Sequence, residues 1–303
     1  MHASQVKNKQ LRPWSEWEQT IKAVTPELAD QWTPIVVTPA PAESQRWVEW
    51  AGELGVGAAS DFEDNHFPPA TRRLGYWTRR SRDGGRTWDE PTPAPVSAPH
   101  GANLLPNGDL IYIGTMPGVD SDGKHSLGVA ISADQGVTWT VAARINAAPQ
   151  VPGTVAGEKP RLCEPHVVAT ASGKLLGLAR YQVKDVKQRV LWQFESPDGG
   201  KTWTEPQPAS LLGFPPHLLR LRDDRILVSH AIRHQPPGQR FCLSADEGLT
   251  WDIANQLTLQ DAPDGDLGYP ASVELDDGTL LSVYYQKERA GEKPCLMSTH
   301  WRA

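Results

Sequence analysis

One eight-residue phrase occurs four times along the chain: Ser81-Arg-Asp-Gly-Gly-Arg-Thr-Trp88, Ser132-Ala-Asp-Gln-Gly-Val-Thr-Trp139, Ser196-Pro-Asp-Gly-Gly-Lys-Thr-Trp203 and Ser244-Ala-Asp-Glu-Gly-Leu-Thr-Trp251. The shared pattern is S-x-D-x-G-x-T-W, and four chance occurrences within 303 residues can be dismissed. The aspartates lie 51, 64 and 48 residues apart, which is the period of a unit built from about four short strands.

The chemistry of the phrase is that of a turn. Ser and Asp side chains accept hydrogen bonds from the backbone of a tight turn, the glycine supplies φ > 0, and the Trp lays an apolar face over the neighbouring sheet. Four aspartates in register invite comparison with a calcium array. Each phrase, however, brings a single carboxylate, whereas calcium needs clustered oxygens. Asp83, Asp134, Asp198 and Asp246 are therefore read as structural, and no metal or other cofactor is expected.

A chain with 26 Gly and 27 Pro suits one all-β domain with many turns, spanning residues 1–303. The net charge of −6, with no basic run, argues against nucleic acid as a partner. No stretch has the length and apolarity of a membrane helix, so no membrane partner is expected. The first ten residues lack the apolar core of a signal peptide. Cys163, Cys242 and Cys295 have no metal-ligand spacing and cannot all pair, which points to reduced thiols and a cytoplasmic location. Oligomeric state is not legible.

Each phrase is followed by a hairpin that overlays on the next. The segments 99–108, 164–173, 215–224 and 269–278 each end in a turn signal. Apolar second strands are predicted at 110–113, 175–178, 226–228 and 280–283. Strands that are apolar on both faces are expected where adjacent sheets cover both sides. Five units can be counted. The last ends in Met297-Ser-Thr-His-Trp-Arg-Ala303 without a phrase or a fourth strand, and an N-terminal strand around residues 34–38 is predicted to complete it. Residues 1–60 are the least readable part, and residues 14–31 read as a helix.

The starts of the first strands converge by position. Counting back nine residues from the end of each hairpin turn gives Pro99, Glu164, Pro215 and Tyr269, and counting back seven gives Gly101, His166, His217 and Ala271. His100 lies beside them. Titratable groups converging from several units on one cavity make the default site hypothesis, and Pro165, Pro216 and Pro270 stiffen its rim.

The phrase is the Asp box, and the chain resembles the sialidase (neuraminidase) superfamily from about Asp61 to its C-terminus. The resemblance implies a six-bladed β-propeller with its site at one mouth of the central channel; with five units countable, one degenerate blade is expected within residues 1–60. It implies a catalytic Glu164 with Arg180 sixteen residues on, and a second arginine, Arg240, on the following blade. It also implies a nucleophilic Tyr269 opening the final blade, and an aspartate acid/base in Ser60-Asp-Phe-Glu-Asp64, with Asp61 ahead of Asp64. Such a set is coherent for an acidic sugar. A neutral tyrosine is not repelled by the substrate carboxylate, Glu164 accepts its proton, and arginine forks match the carboxylate. Sialidases are the stated tyrosine exception to the two-carboxylate rule of glycoside hydrolysis. The family's opening arginine strand has no counterpart, since Trp32-Thr-Pro-Ile-Val-Val37 carries no Arg. That leaves a uronic acid open beside a sialic acid.

Three readings stand on these residues. The favoured one is an exo-acting glycoside hydrolase releasing a terminal acidic sugar, with Tyr269, Glu164 and Asp61 catalytic and Arg180, Arg240, His166, His217 and His100 binding substrate. The second is a polysaccharide lyase in which His217 and Tyr269 serve as base and acid. The third is a carbohydrate-binding propeller without catalysis. The residues have plainer uses as well: Glu164–Arg180 as a structural ion pair, Tyr269 packed with its hydroxyl tied to backbone, and the histidines as satisfied polar groups.

Overall fold

Strands apolar at odd and even positions alike must be covered on both faces. The structure, a computed model describing residues 76–116, 126–146, 160–183 and 190–303, covers them by stacking small sheets. The chain divides into two compact units, one of Met1–Gly75 with Arg79–Glu90, the other of Tyr76–Thr78 with Pro91–Ala303. The described part of the first unit is the first Asp box.

The second unit is all-β, with a single 3-10 turn at Ile253–Asn255 among the described residues. It opens with a ribbon of β1 (Trp77–Thr78) and β2 (Thr92–Pro93). Four antiparallel sheets follow in propeller-like arrangement, each with its strands in chain order. The first holds β3 (Asn103–Leu104), β4 (Leu110–Thr115), β5 (Leu127–Ser132) and β6 (Thr140–Ile145). The second holds β7 (Arg161–Ala169), β8 (Leu175–Gln182), β9 (Val190–Ser196) and β10 (Gln207–Leu212). The third holds β11 (His217–Arg220), β12 (Ile226–Ile232), β13 (Gly238–Ser244) and β14 (Leu257–Asp261). The fourth has three strands, β15 (Gly268–Glu274), β16 (Leu280–Gln286) and β17 (Cys295–Trp301). The predicted second strands are β4, β8, β12 and β16, each running further than its apolar signal. The first countable unit appears as the β1–β2 ribbon. The predicted degenerate blade, the closing strand at 34–38 and the helix at 14–31 lie outside the described residues.

Strand alternation distributes the core. Along β8, Leu175, Ala179 and Tyr181 face the cluster shared with the first sheet, which includes Ile111, Ile113, Leu127, Val129, Trp192 and Phe194. Leu176 and Leu178 face the cluster shared with the third sheet, with Phe214, Leu218 and Val228. A further cluster of Leu221, Leu227, Phe241 and Leu280 joins the third sheet to the fourth. Each fully buried leucine is worth roughly 1.5–3 kcal/mol, so these interfaces hold neighbouring sheets in fixed relation. Arg180 continues the face of Leu176 and Leu178, and is thereby aimed at the third sheet.

The Asp boxes link the third and fourth strands of their sheets. In the box after β9, Asp198 Oδ1 accepts the Lys201 and Thr202 N–H groups at 3.1 and 2.9 Å, and Oδ2 accepts the Thr202 hydroxyl at 2.6 Å. Ser196 Oγ donates to the same carboxylate and accepts the Gly200 N–H at 2.8 Å. The glycine of each box has φ between +85 and +93°, a left-handed conformation natural only to glycine. Asp83 in the first unit makes the same bonds to Ser81, Arg86 and Thr87.

Candidate active site

Glu164 and Tyr269 are placed by the same backbone device. Between β7 and β8 the partners step from Cys163↔Arg180 to His166↔Leu178, so three residues oppose two. Between β15 and β16 they step from Gly268↔Tyr285 to Ala271↔Val283. Each inserted residue makes a β-bulge, which re-aims a side chain out of the regular pleat. Glu164 and Tyr269 both have φ of 53° and both precede proline. The remaining non-glycine residues of positive φ among those described, Gln135, Asp224 and Glu247, are in turns. Left-handed backbone at two such positions costs roughly 1–3 kcal/mol each and collects where geometry serves function.

The re-aimed side chains meet across 105 residues of sequence. The Tyr269 hydroxyl donates to Glu164 Oε1 at 2.5 Å, and Arg180 Nη1 donates to Glu164 Oε2 at 3.1 Å. Burial first, and then the hydrogen bond to Glu164, push the Tyr269 phenol up to about 12, against the opposing pull of Arg233 and Arg180. At neutral pH the phenol therefore keeps its proton and holds it against an acceptor already in place.

A second arginine completes the group. Arg233, one residue beyond β12, carries its Cζ 5.9 Å from the Tyr269 ring centroid. Both cations lie over the Phe214 ring, with the Cζ of Arg180 at 4.0 Å and that of Arg233 at 5.3 Å from its centroid. Its negative face offsets part of their mutual repulsion. Arg233 Nη2 reaches the Tyr285 hydroxyl at 3.3 Å, and the Tyr285 ring stacks near Tyr269 at 6.0 Å. Arg233 Nε is sealed from solvent without a hydrogen-bond partner. Gly268 makes room for it: a Cβ there would stand 2.8 Å from Arg233 Nη2.

The three predicted histidines gather beside this group. The His166 and His217 rings stack at 4.4 Å, and His100 lies 5.0 and 5.5 Å from them. His166 Nδ1 accepts the Leu218 N–H at 2.9 Å, and Nε2 lies 3.1 Å from the Asn103 amide. Burial lowers all three, His100 to about 4 despite the nearby Glu164 charge, His217 to about 3, and His166 well below the usual range. The trio is neutral at neutral pH. Parallel rings do not converge their lone pairs, and among the described residues no group of three or more His, Cys, Asp or Glu is arranged to hold a metal ion.

Arg240 is not brought to this group. On β13, the third strand of its sheet, it pairs with His230 across the sheet. Its guanidinium donates to the backbone oxygens of Gln239 and Pro236 and faces Asp261 at 3.5 Å. The place expected for Arg240 is taken by Arg233, which the sequence reading missed. The available signal was its position at the end of a second strand, like Arg180. Asp61 and Asp64 lie outside the described residues. Of the neighbouring trio at the end of β16, Tyr285 faces the site. Tyr284 is buried against Thr299, and Gln286 is buried against Gln239 and the Asp261 carbonyl.

Repeated Asp boxes, stacked antiparallel sheets and a Tyr–Glu–Arg group at the first-strand ends define a sialidase-like BNR β-propeller. The chain belongs to the BNR repeat-like domain family, whose model matches residues 70–282. No curated protein matches it. A crystal structure of a Dyadobacter fermentans protein of unknown function aligns with a TM-score of 0.63 at 27% identity, covering 76% of this chain and 64% of that one. The Penicillium chrysogenum α-L-arabinanase complexed with arabinobiose aligns at 0.50 and 18%, covering 66% and 60%. The K499G mutant of NanB sialidase from Streptococcus pneumoniae aligns at 0.50 and 15%, covering 75% and 35%. At these identities the two glycosidases share the fold. The chain thus spans less than two thirds of the length of each of these structures.

Proposed function

We propose that this protein is an exo-acting glycoside hydrolase that removes a terminal acidic sugar by way of a tyrosine nucleophile. The observation that carries the reading is the Tyr269 hydroxyl donating to Glu164, with Arg180 holding the other carboxylate oxygen. As the phenol oxygen bonds to the anomeric carbon, its proton passes to Glu164 Oε1, and the bond to the aglycone breaks. Water then cleaves the glycosyl–tyrosine bond, and the phenol recovers its proton from Glu164. Arg180 and Arg233 bind the substrate carboxylate, and Tyr285 holds Arg233 in place. The neutral histidines add polar contacts without a second centre of positive charge. Asp61, with Asp64 in reserve, protonates the leaving group.

The test compares wild type with Tyr269→Phe on the 4-methylumbelliferyl glycosides of N-acetylneuraminic acid and of glucuronic acid. Fluorophore release by wild type, reduced about 100-fold or more in the variant, supports the reading and names the sugar. Absorbance near 235 nm is followed in parallel on uronate polysaccharides. A rise there, without release from either glycoside, replaces hydrolysis with β-elimination. Silence throughout leaves the binding-propeller reading.

A further inference from the structure

Arg161 stands at the outer end of β7 as an exposed cation with a fixed orientation. Its Nε and Nη2 both donate to Gln182 Oε1, at 3.1 and 3.0 Å, and Cys163 Sγ lies 3.4 Å from the same oxygen. Holding a long exposed side chain in one geometry costs rotamer entropy. The partner that holds it is a neutral amide, so the charge is aimed without being cancelled. Most neighbouring cations differ: Arg180 faces Glu164, Lys287 faces Asp264 and Arg240 faces Asp261. Among the described residues Arg161 has no carboxylate within ion-pair distance.

Register places Arg161 relative to the Glu164 group. Arg161 pairs with Gln182, Leu162 with Tyr181, and Cys163 with Arg180. Leu162 and Tyr181 are buried toward the first sheet, so Arg161, Gln182 and Arg180 share the opposite face, the one Arg180 presents to Phe214. Arg161 is one same-face step outward from Arg180, about 6.5–7 Å along the strand. Two of its five N–H groups bond Gln182, which leaves the Nη1–Nη2 end free for bidentate contact with a carboxylate.

We propose that Arg161 forms a second anion-binding subsite, taking the carboxylate of the sugar next to the one held by Arg180 and Arg233. The substrate class is then an acidic oligosaccharide with charges on adjoining units, rather than a single acidic sugar on a neutral aglycone. This rests on the acidic-sugar reading above.

The experiment is titration calorimetry with Tyr269→Phe protein, which keeps the site and slows turnover. The probes are galacturonic acid against its dimer and N-acetylneuraminic acid against its α2,8-linked dimer. One dimer should bind about tenfold more tightly than its monomer, and adding Arg161→Gln should bring that ratio close to one. Arg161→Lys, which keeps the charge and loses the fork, should give an intermediate ratio. Equal binding of monomer and dimer in the parent, or a ratio unmoved by Arg161→Gln, overturns the subsite while leaving the acidic-sugar reading in place. Loss of monomer binding in Arg161→Gln also overturns it, by making Arg161 part of the primary site. Failure of all four probes on the parent overturns both.

Discussion

The Asp-box turns and the group around Glu164 both hold a carboxylate by hydrogen bonds, to opposite effect. In the boxes, each aspartate bonds to groups two to four residues away, on an exposed turn, and the arrangement recurs from blade to blade. At the Glu164 group the hydrogen bonds span 16, 52 and 105 residues, and each bond occurs once. Local, repeated bonds fix a turn whatever the rest of the chain does. The two bonds that join different sheets, Tyr269 to Glu164 and Arg233 to Tyr285, exist only when those sheets have packed together. In a repeat protein, what recurs builds the fold, and departure from the repeat marks where chemistry is placed.

The sharpest way to break that contrast is at the Tyr–Glu pair. Glu164→Gln keeps the shape of the side chain but removes the base, and kcat on whichever acidic glycoside is turned over should fall 100-fold or more. Circular dichroism should show the sheets unchanged. If Glu164 is only a structural partner for Arg180, Glu164→Gln will lower Tm and leave kcat near wild type.

Much of this contrast was legible in the sequence. The boxes, the four second strands and the placement of Glu164 and Tyr269 follow from repeats and hairpin turns, and Arg180 from the resemblance. The bulges did not show, because a residue before proline reads as extended, whereas Glu164 and Tyr269 are left-handed. Arg240, implied by the resemblance, stands on the third strand of its sheet and turns to Asp261 and nearby backbone instead. Arg233 follows β12 at a second-strand end like that of Arg180, but its contacts with Tyr269 and Tyr285 arise only from packing between sheets. Function here depends on contacts between blades, which a period read along the chain does not report.

The next largest effect should come from Gly268. Its φ is +150°, and a methyl group there meets Arg233. Gly268→Ala should displace the guanidinium and raise KM roughly tenfold, the scale of one charge-assisted hydrogen bond, with a smaller change in kcat. A fall in kcat alone would instead place Arg233 at the reacting atoms.

On the other side of the comparison, Asp198→Ala strips a box of four donors' acceptor. Tm should drop by several degrees while kcat/KM stays within about twofold of wild type at temperatures where the protein is folded. A large loss of activity without loss of Tm would give the boxes a functional role.

The smallest effect separates the two regions by pH. His100 and His217 are lowered by burial to about 4 and about 3 from an ordinary 6.5. Between those values the unfolded chain binds protons that the folded chain refuses. Their contribution to stability is therefore complete above about pH 6.5 and is lost as pH falls through the folded values, with a slope of at most about 1.4 kcal/mol per pH unit for each group. Asp134 and Asp198 are lowered to about 2 by hydrogen bonds from threonine, so the boxes lose stability only below about pH 4. Thermal melts from pH 7.5 to 4.5 should show Tm declining with acid, and His217→Asn should flatten that slope. Asp198→Ala should leave it parallel to wild type. Equal slopes in His217→Asn and wild type would mean that His217 is protonated in the folded protein, and the neutral floor beside Glu164 would have to be abandoned.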